Sequence, residues 1–379
     1  MDNTMTACPI CHVAVGDSEQ FCEACGAELS PTVAATGQPP AEEPPAGLPA
    51  ATDLAGAAST CPSCGGEVAA DGYCGTCGAR APKRRDHFSE QPAAWVAAVC
   101  DRGLRHTRNE DAVAVAADAE PGSRAVLVVC DGVSSSVDSD LASLAAARAA
   151  RDVLVFSRSR GMGEGGSLVA AVTARLEAAA DAANDAVLQV TRNAREIAAA
   201  DLAAGNPTSG SLTAGGLSPV PSPASCTFVA AVVEQDLLVV GSVGDSRAYW
   251  LPDVGAATAL TLDDSFAQVR IAAGVPRAEA ESGPQSHAIM RWLGEDAPDH
   301  KPATTTMTLA EAGWLLVCSD GLWNYCSEAE DLAALVRQTV GAAPEAAEPL
   351  ALAGSLVSWA NAQGGQDNVS VALARIQPD

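Results

Sequence analysis

Basic residues are scarce in this chain: Lys and Arg number 22 against 47 Asp and Glu over 379 residues, a formal charge of −25. Phosphate backbones and anionic lipid surfaces would repel that surplus, which argues against a general nucleic-acid or membrane binder. Long apolar runs are missing as well. No uncharged stretch reaches the roughly 18 apolar residues of a membrane helix. The opening Met1-Asp2-Asn3-Thr4-Met5-Thr6 has neither the basic nor the apolar region of a secretion signal. A cytoplasmic protein is the expectation. Aromatic residues make up only 4%, yet 48% of the chain is hydrophobic. That is enough for a domain of about 200–250 residues to bury a full core, with length left for smaller units.

Cysteine, by contrast, is plentiful and unevenly placed. Eight of the 13 cysteines fall in four CxxC pairs near the N-terminus: Cys8/Cys11, Cys22/Cys25, Cys61/Cys64 and Cys74/Cys77. A CxxC knuckle turns tightly, so that both thiolates face one ion, and the glycines at 26, 65 and 78 permit the positive φ that such a turn needs. Two knuckles close a tetrahedral four-thiolate Zn²⁺ site, and the pattern occurs twice with near-equal spacing. Redox pairs are the competing reading, but no βαβ pattern surrounds them and no export signal supplies an oxidising compartment. Two structural zinc ribbons are therefore expected, at 1–29 and 60–80. Each is too small for a core of its own, so the metal must supply the folding energy.

Residues 30–59 are rich in Pro, Ala, Thr and Gly and read as a linker. A second linker, 81–92, contains Lys83-Arg84-Arg85, read as solvated. From 93 to 376 the chain forms one larger domain. Runs at 126–130, 227–233, 237–243, 314–318 and 369–373 have the length of buried strands. Residues 139–157 and 167–203 are Ala-rich with helical spacing. Ser327 and Glu330 read as a capping box, and the Pro/Gly/Ser stretch 205–224 as a flexible loop. With no regular βαβ alternation, an α+β layered fold is favoured over a parallel sheet.

The carboxylates stand at strand ends. The run 126–130 leads into Asp131-Gly132, 314–318 into Ser319-Asp320-Gly321, and 237–243 into Gly244-Asp245-Ser246-Arg247. Asn109-Glu110-Asp111 and Gln366-Asp367-Asn368 each precede a strand-like run. Any one Asp-Gly pair can be an ordinary turn. Gathered at one sheet end, such carboxylates would repel strongly unless hard divalent cations sat among them.

Taken in order, Asp101-Arg102-Gly103, Asn109-Glu110-Asp111, Val129-Cys130-Asp131-Gly132, Val243-Gly244-Asp245-Ser246-Arg247, Leu260-Thr261-Leu262-Asp263-Asp264-Ser265, Cys318-Ser319-Asp320-Gly321-Leu322 and Gln366-Asp367-Asn368-Val369-Ser370 resemble the PPM family. These are metal-dependent serine/threonine protein phosphatases of the 2C type. The resemblance implies a four-layer αββα sandwich, two antiparallel sheets flanked by helices, with two Mn²⁺ or Mg²⁺ ions at one end. It implies that Asp131 bridges both ions and that the Gly132 carbonyl is a ligand. Asp320 and Asp367 would complete the first ion's site, with Glu110 and Asp111 near the second, partly through water. Asp245, with Asp320, would form a third-metal site. Asp131, Asp111 and His106 are then the catalytic candidates, and an ion-activated water would attack phosphorus. The substrate would be a phosphorylated protein, with a Ser/Thr kinase or its targets as partner.

Two departures stand out. Where the family usually has a phosphate-gripping Arg, this chain has His106, flanked by Arg105 and Arg108; and Ser134-Ser135-Ser136 replaces the usual glycines after Asp131-Gly132-Val133. His106 and Arg105 are the candidates for the substrate phosphate. The same departures motivate the alternative of a pseudophosphatase that binds partner proteins without turnover. Residues 1–85 hold four basic side chains against ten acidic ones, so the ribbons are expected to recruit or regulate through protein and not nucleic acid.

Overall fold

The computed structural model describes residues 6–7, 14–15, 60–61, 64–156, 165–204, 222–283 and 285–377. Cys8, Cys11, Cys22 and Cys25 of the first expected ribbon lie outside the described residues, as do 205–221 of the expected loop. The chain divides into a unit at 1–56 and a unit at 57–379. In the first, β1 (Thr6–Ala7) and β2 (Ala14–Val15) pair antiparallel.

The larger unit carries β3 (His87–Ala93), β4 (Val96–Asp101), β5 (Asp111–Ala117) and β6 (Arg124–Asp131). Two long helices follow, α1 (Ser139–Phe156) and α2 (Gly165–Ala203). Next come β7 (Ser225–Cys226), β8 (Phe228–Glu234), β9 (Leu237–Val243), β10 (Arg247–Pro252) and β11 (Thr258–Ala259). An excursion through α3 (Phe266–Ala272), α4 (Arg277–Ala280) and β12 (Leu293–Gly294) leads to β13 (Ala303–Thr308) and β14 (Gly313–Cys318). The chain closes with α5 (Asp320–Trp323), α6 (Ala329–Ala342), α7 (Pro349–Gln363) and β15 (Val369–Ile376).

These strands form two antiparallel sheets, β11-β10-β14-β15-β4-β3 and β13-β9-β8-β6-β5. Between them lies a core that includes Val113, Leu127, Val129, Leu238, Leu315 and Val317. Helices α1 and α2 cover the outer face of the five-stranded sheet through Ala142, Ala146, Ala150, Leu154, Val172 and Leu176. The last three helices cover the six-stranded sheet through Leu322, Leu332, Leu352 and Leu356. The result is the expected αββα sandwich. Because both faces of each sheet are covered, the central strands read as continuous apolar runs and not as alternating ones. The alanines at steps of four on α1 present a stripe without bulk, which lets the helix pack close to its sheet.

Three local readings change. The expected linker 81–92 contains most of β3, which pairs with β4 as the edge of the six-stranded sheet. Its alternating half-exposed residues give no apolar stripe to read. Arg85, expected in solvent, is half-buried with its guanidinium hydrogen-bonded to backbone carbonyls. The Ser327–Glu330 capping box does not form. The N-cap of α6 is Glu328, Ser327 Oγ donates to Glu281 and accepts from Arg247, and Glu330 accepts from the Ala257 amide.

Candidate active site

Antiparallel pairing collects the aspartates. Strand β6 ends at Asp131 and β5 begins at Asp111, and register sets the two directly opposite each other. In the other sheet the end of β14, the start of β10 and the start of β15 fall side by side, with Cys318 paired to both Arg247 and Val371. Asp245, Asp320 and Asp367 flank those ends in sequence. Strand β4 also ends here, with Asp101 opposite Val369. The following loop crosses from one sheet to the other and carries His106 and Glu110 to the same end.

Buried polar side chains hold this loop. Asn368 Oδ1 accepts from the Glu110 amide at 2.7 Å, while its Nδ2 donates to the carbonyls of Arg102 at 2.7 Å and Arg108 at 3.2 Å. Ser319 Oγ donates to Asp111 Oδ2 at 2.6 Å and accepts from the Ser370 amide at 2.9 Å. Gly321 packs so closely that a Cβ there would stand 1.9 Å from the Asn368 carbonyl oxygen. Gly132 is likewise enclosed, between the carbonyls of Glu110 and Ser139. Sequence reasoning missed Asn368, Ser319 and Ser139 as supports. It also missed Arg247, which grips Asp263 with both arms at 2.8 and 2.6 Å and lies 3.6 Å over the Trp323 ring. Only adjacency to the acidic motifs could have flagged them.

Glu110 is fully engaged. Arg108 donates to its Oε1 at 2.7 Å, Ser139 to the same oxygen, and Ser134 to Oε2 at 2.9 Å. Burial opposes ionisation of Glu110, but the hydrogen bonds from Ser139, Arg108 and Ser134 outweigh it and hold the carboxyl below its ordinary value. Arg108 is thus committed to Glu110 and Arg105 is exposed. His106 stands between two carboxylates, with Nδ1 3.5 Å from Glu110 Oε2 and Nε2 3.2 Å from Asp367 Oδ1. The exposed His287 lies 3.9 Å from Asp320.

The aspartates behave as a repelling set. Removal from water, then the charges of Asp111, Asp320, Asp367 and Asp245, push Asp131 far above the ordinary carboxylate range. Burial followed by Asp367, Asp245 and Asp111 does the same to Asp320. Burial and then Asp263 raise Asp245 to about 7. Burial raises Asp111 to about 6, with Asp367 adding to it and Ser319 and Ser370 opposing. Two buried oxygens, Asp111 Oδ1 and Asp320 Oδ1, have no hydrogen-bond partner. Buried, unpartnered carboxylate oxygens among like charges are the donor set of a hard divalent cation. Among the described residues no three of these carboxylates bring oxygens within 4.8 Å of one another, so they are gathered without meeting at a single point.

The four sulfurs of the second cysteine set do converge, all within 4.8 Å. Cys61 and Cys77 are 3.7 Å apart, and Cys64 and Cys74 3.5 Å. A tetrahedron with metal–sulfur bonds of about 2.3 Å has edges of about 3.8 Å. The two knuckles are copies: Gly65 N donates to the Cys61 carbonyl and Gly78 N to that of Cys74, each glycine at φ 72°. Backbone N–H groups of Cys77 and Thr76 lower the Cys74 thiol to about 6. At Cys64 the Gly66 N–H works the same way, but the neighbouring sulfurs of Cys77 and Cys74 outweigh it and push that thiol to about 12.

Residues 102–359 match the family model described as protein phosphatase 2C. The serine/threonine phosphatase stp of Listeria innocua is 30% identical over 148 residues, 39% of this chain and 55% of that protein. The chain therefore spans about half the length of that curated relative. Among solved structures, the Mycobacterium tuberculosis serine/threonine phosphatase PstP/Ppp superposes with a TM-score of 0.51 at 28% identity, covering 74% of this chain and 98% of that one. The S. agalactiae serine/threonine phosphatase, at 22% identity and a TM-score of 0.53, covers 76% and 100% and shares the fold. No helix among the described residues is long and apolar enough to cross a membrane.

Proposed function

The chain belongs to the protein phosphatase 2C family, and from that membership we propose that it hydrolyses phosphoserine and phosphothreonine esters of proteins, using Mn²⁺ or Mg²⁺. The observation that carries this reading is the gathering of Asp111, Asp131, Asp245, Asp320 and Asp367 at one end of the sandwich, with two of their buried oxygens unpartnered. Asp131, Asp320 and Asp367 would hold one ion, and Asp131 with Asp111, the Gly132 carbonyl and a water-mediated Glu110 the second. Asp245 and Asp320 would hold a third. When bound, such ions neutralise phosphoryl charge and make a water acidic enough to act as nucleophile near neutral pH.

The chain's own residues orient the rest. Asn368 fixes both ends of the loop that carries His106, and Ser319 fixes the Asp111 carboxylate. His106 and the exposed Arg105 would receive the substrate phosphate, and Arg108 steadies Glu110. The sulfur tetrahedron supports Zn²⁺ at Cys61, Cys64, Cys74 and Cys77, and the repeated spacing extends this to Cys8, Cys11, Cys22 and Cys25. Four thiolates leave no open position for chemistry, so both ions are structural. A reducing cytoplasm suits these thiols, and the partner is a phosphorylated protein, a Ser/Thr kinase or one of its targets.

One observation favours the alternative of a pseudophosphatase scaffold that binds partner proteins without turnover. His106 already contacts both Glu110 and Asp367, where a free cation would suit a phosphate. Calorimetric Mn²⁺ titration of the wild type beside Asp320→Asn, with turnover of a phosphothreonine peptide followed in parallel, tests the enzyme reading. Wild-type Mn²⁺ binding with turnover, both weakened in the variant, supports it; full Mn²⁺ binding without turnover favours the scaffold.

A further inference from the structure

The second ribbon is tied to the catalytic end by more than chain continuity. Arg80, bridged to Tyr73 inside the ribbon, donates from Nη1 to the carbonyl of Thr107 at 2.9 Å. Arg85 donates to the carbonyls of Asn109 at 3.2 Å and Asp111 at 3.1 Å. The same guanidinium reaches the Asp140 carbonyl and Ser143 Oγ at the start of α1. In return, Asn109 Nδ2 donates to the Arg85 carbonyl at 3.0 Å, and the Arg102 amide donates to the Asp86 carbonyl at 2.7 Å. Residues 80–86 thus run along 102–111, holding that loop near its start, middle and end. That loop carries His106 and Glu110.

On the loop side, most of these acceptors are backbone carbonyls, so the contacts fix where the chain runs and not which side chain it bears. The position of Arg80 depends in turn on the ribbon, which has no core and folds around its four sulfurs. We propose that the second ribbon is a positioning device for the substrate loop: zinc at Cys61, Cys64, Cys74 and Cys77 fixes Arg80, and Arg80 with Arg85 fixes the course of the loop that presents His106. Occupancy of the ribbon then tunes phosphate capture at the dinuclear centre. The structural coupling stands without turnover, and only its kinetic consequence rests on the phosphatase reading. Arg80 and Arg85 are positioning residues in this account, since neither touches the reacting groups.

The test uses the full chain, comparing wild type, Cys64→Ser/Cys77→Ser and Arg80→Ala by zinc content and amide hydrogen exchange. The double variant is expected to lose about one zinc per chain and to exchange about fivefold faster or more across 102–111. Exchange in β8 and β9 should stay unchanged. Arg80→Ala should keep its zinc and show the same local acceleration, which also covers the case in which the double variant misfolds. On a phosphothreonine peptide, Arg80→Ala should raise KM about fivefold and move kcat by less than about twofold, the effect of losing roughly one hydrogen bond. Unchanged exchange across 102–111 in Arg80→Ala, or equal zinc content in wild type and the double variant, overturns the proposal. A wild type without turnover would sink the phosphatase reading, while the exchange data would still decide the coupling.

Discussion

Asp111 and Asp245 lose protons at about 6 and about 7, against an ordinary value of 3.8. A carboxyl raised in the folded state contributes stability that is present below its ordinary value and is lost as pH rises through the raised one. The metal-free protein should therefore melt at a falling temperature as pH goes from about 4 to about 7, and Mn²⁺ should restore most at the upper end. Asp245→Asn, with one fewer buried charge, should flatten part of that slope. A slope unchanged in the variant would contradict the assignment of the cost to this cluster. His106 makes a second residue-level case. If the chain is an enzyme, His106→Arg should shift KM by about ten- to a hundredfold from a measurable baseline, since a charged hydrogen bond contributes about 1.5–3 kcal/mol and each 1.4 kcal/mol is about tenfold. Turnover that appears only in His106→Arg would favour the scaffold. The strand-end aspartates were legible because a run of apolar residues and the acid after it are neighbours in sequence. Asn368 was not legible as the support of Glu110, because that bond joins residues 258 apart.

At the level of elements, Ala and Leu periodicity located α1 and α2 to within two residues at each end, because a long apolar stripe leaves little freedom of register. Strand β3 escaped because an edge strand whose inward side chains are only half-buried carries no such stripe. The mistaken cap at 327 shows the limit of local motifs. Ser327 is used by the Arg247–Glu281 network, a tertiary competitor that no window of sequence contains. Two substitutions test the packing. Leu176, buried between α2 and β9 with its side chain against Gly241, should cost about 2–5 kcal/mol as Leu176→Ala in chemical denaturation. Gly321→Ala sets a methyl against the Asn368 carbonyl and should cost about 3 kcal/mol or more. It should also weaken Mn²⁺ binding, because Asp320 and Asn368 sit on the two sides of that contact. Mn²⁺ binding unaffected by Gly321→Ala would detach this close approach from the site.

On the scale of the whole molecule, the sandwich turns six scattered strand ends into one surface. Two sheets whose strands alternate in direction bring the ends of β4, β6 and β14 and the starts of β5, β10 and β15 to one end. The helices on both outer faces bury the sheets, and the starts of α1 and α5 reach that end through Ser139 and Asp320. The repulsion concentrated there is a local form of the chain's overall acidity, and a divalent cation would relieve it. The central claim is tested most directly by hydrolysis of a phosphothreonine peptide by the purified full chain, with and without Mn²⁺, beside Asp131→Ala. Turnover that requires Mn²⁺ and is lost in Asp131→Ala is the expected result. No turnover by a wild type shown to bind Mn²⁺ would contradict it.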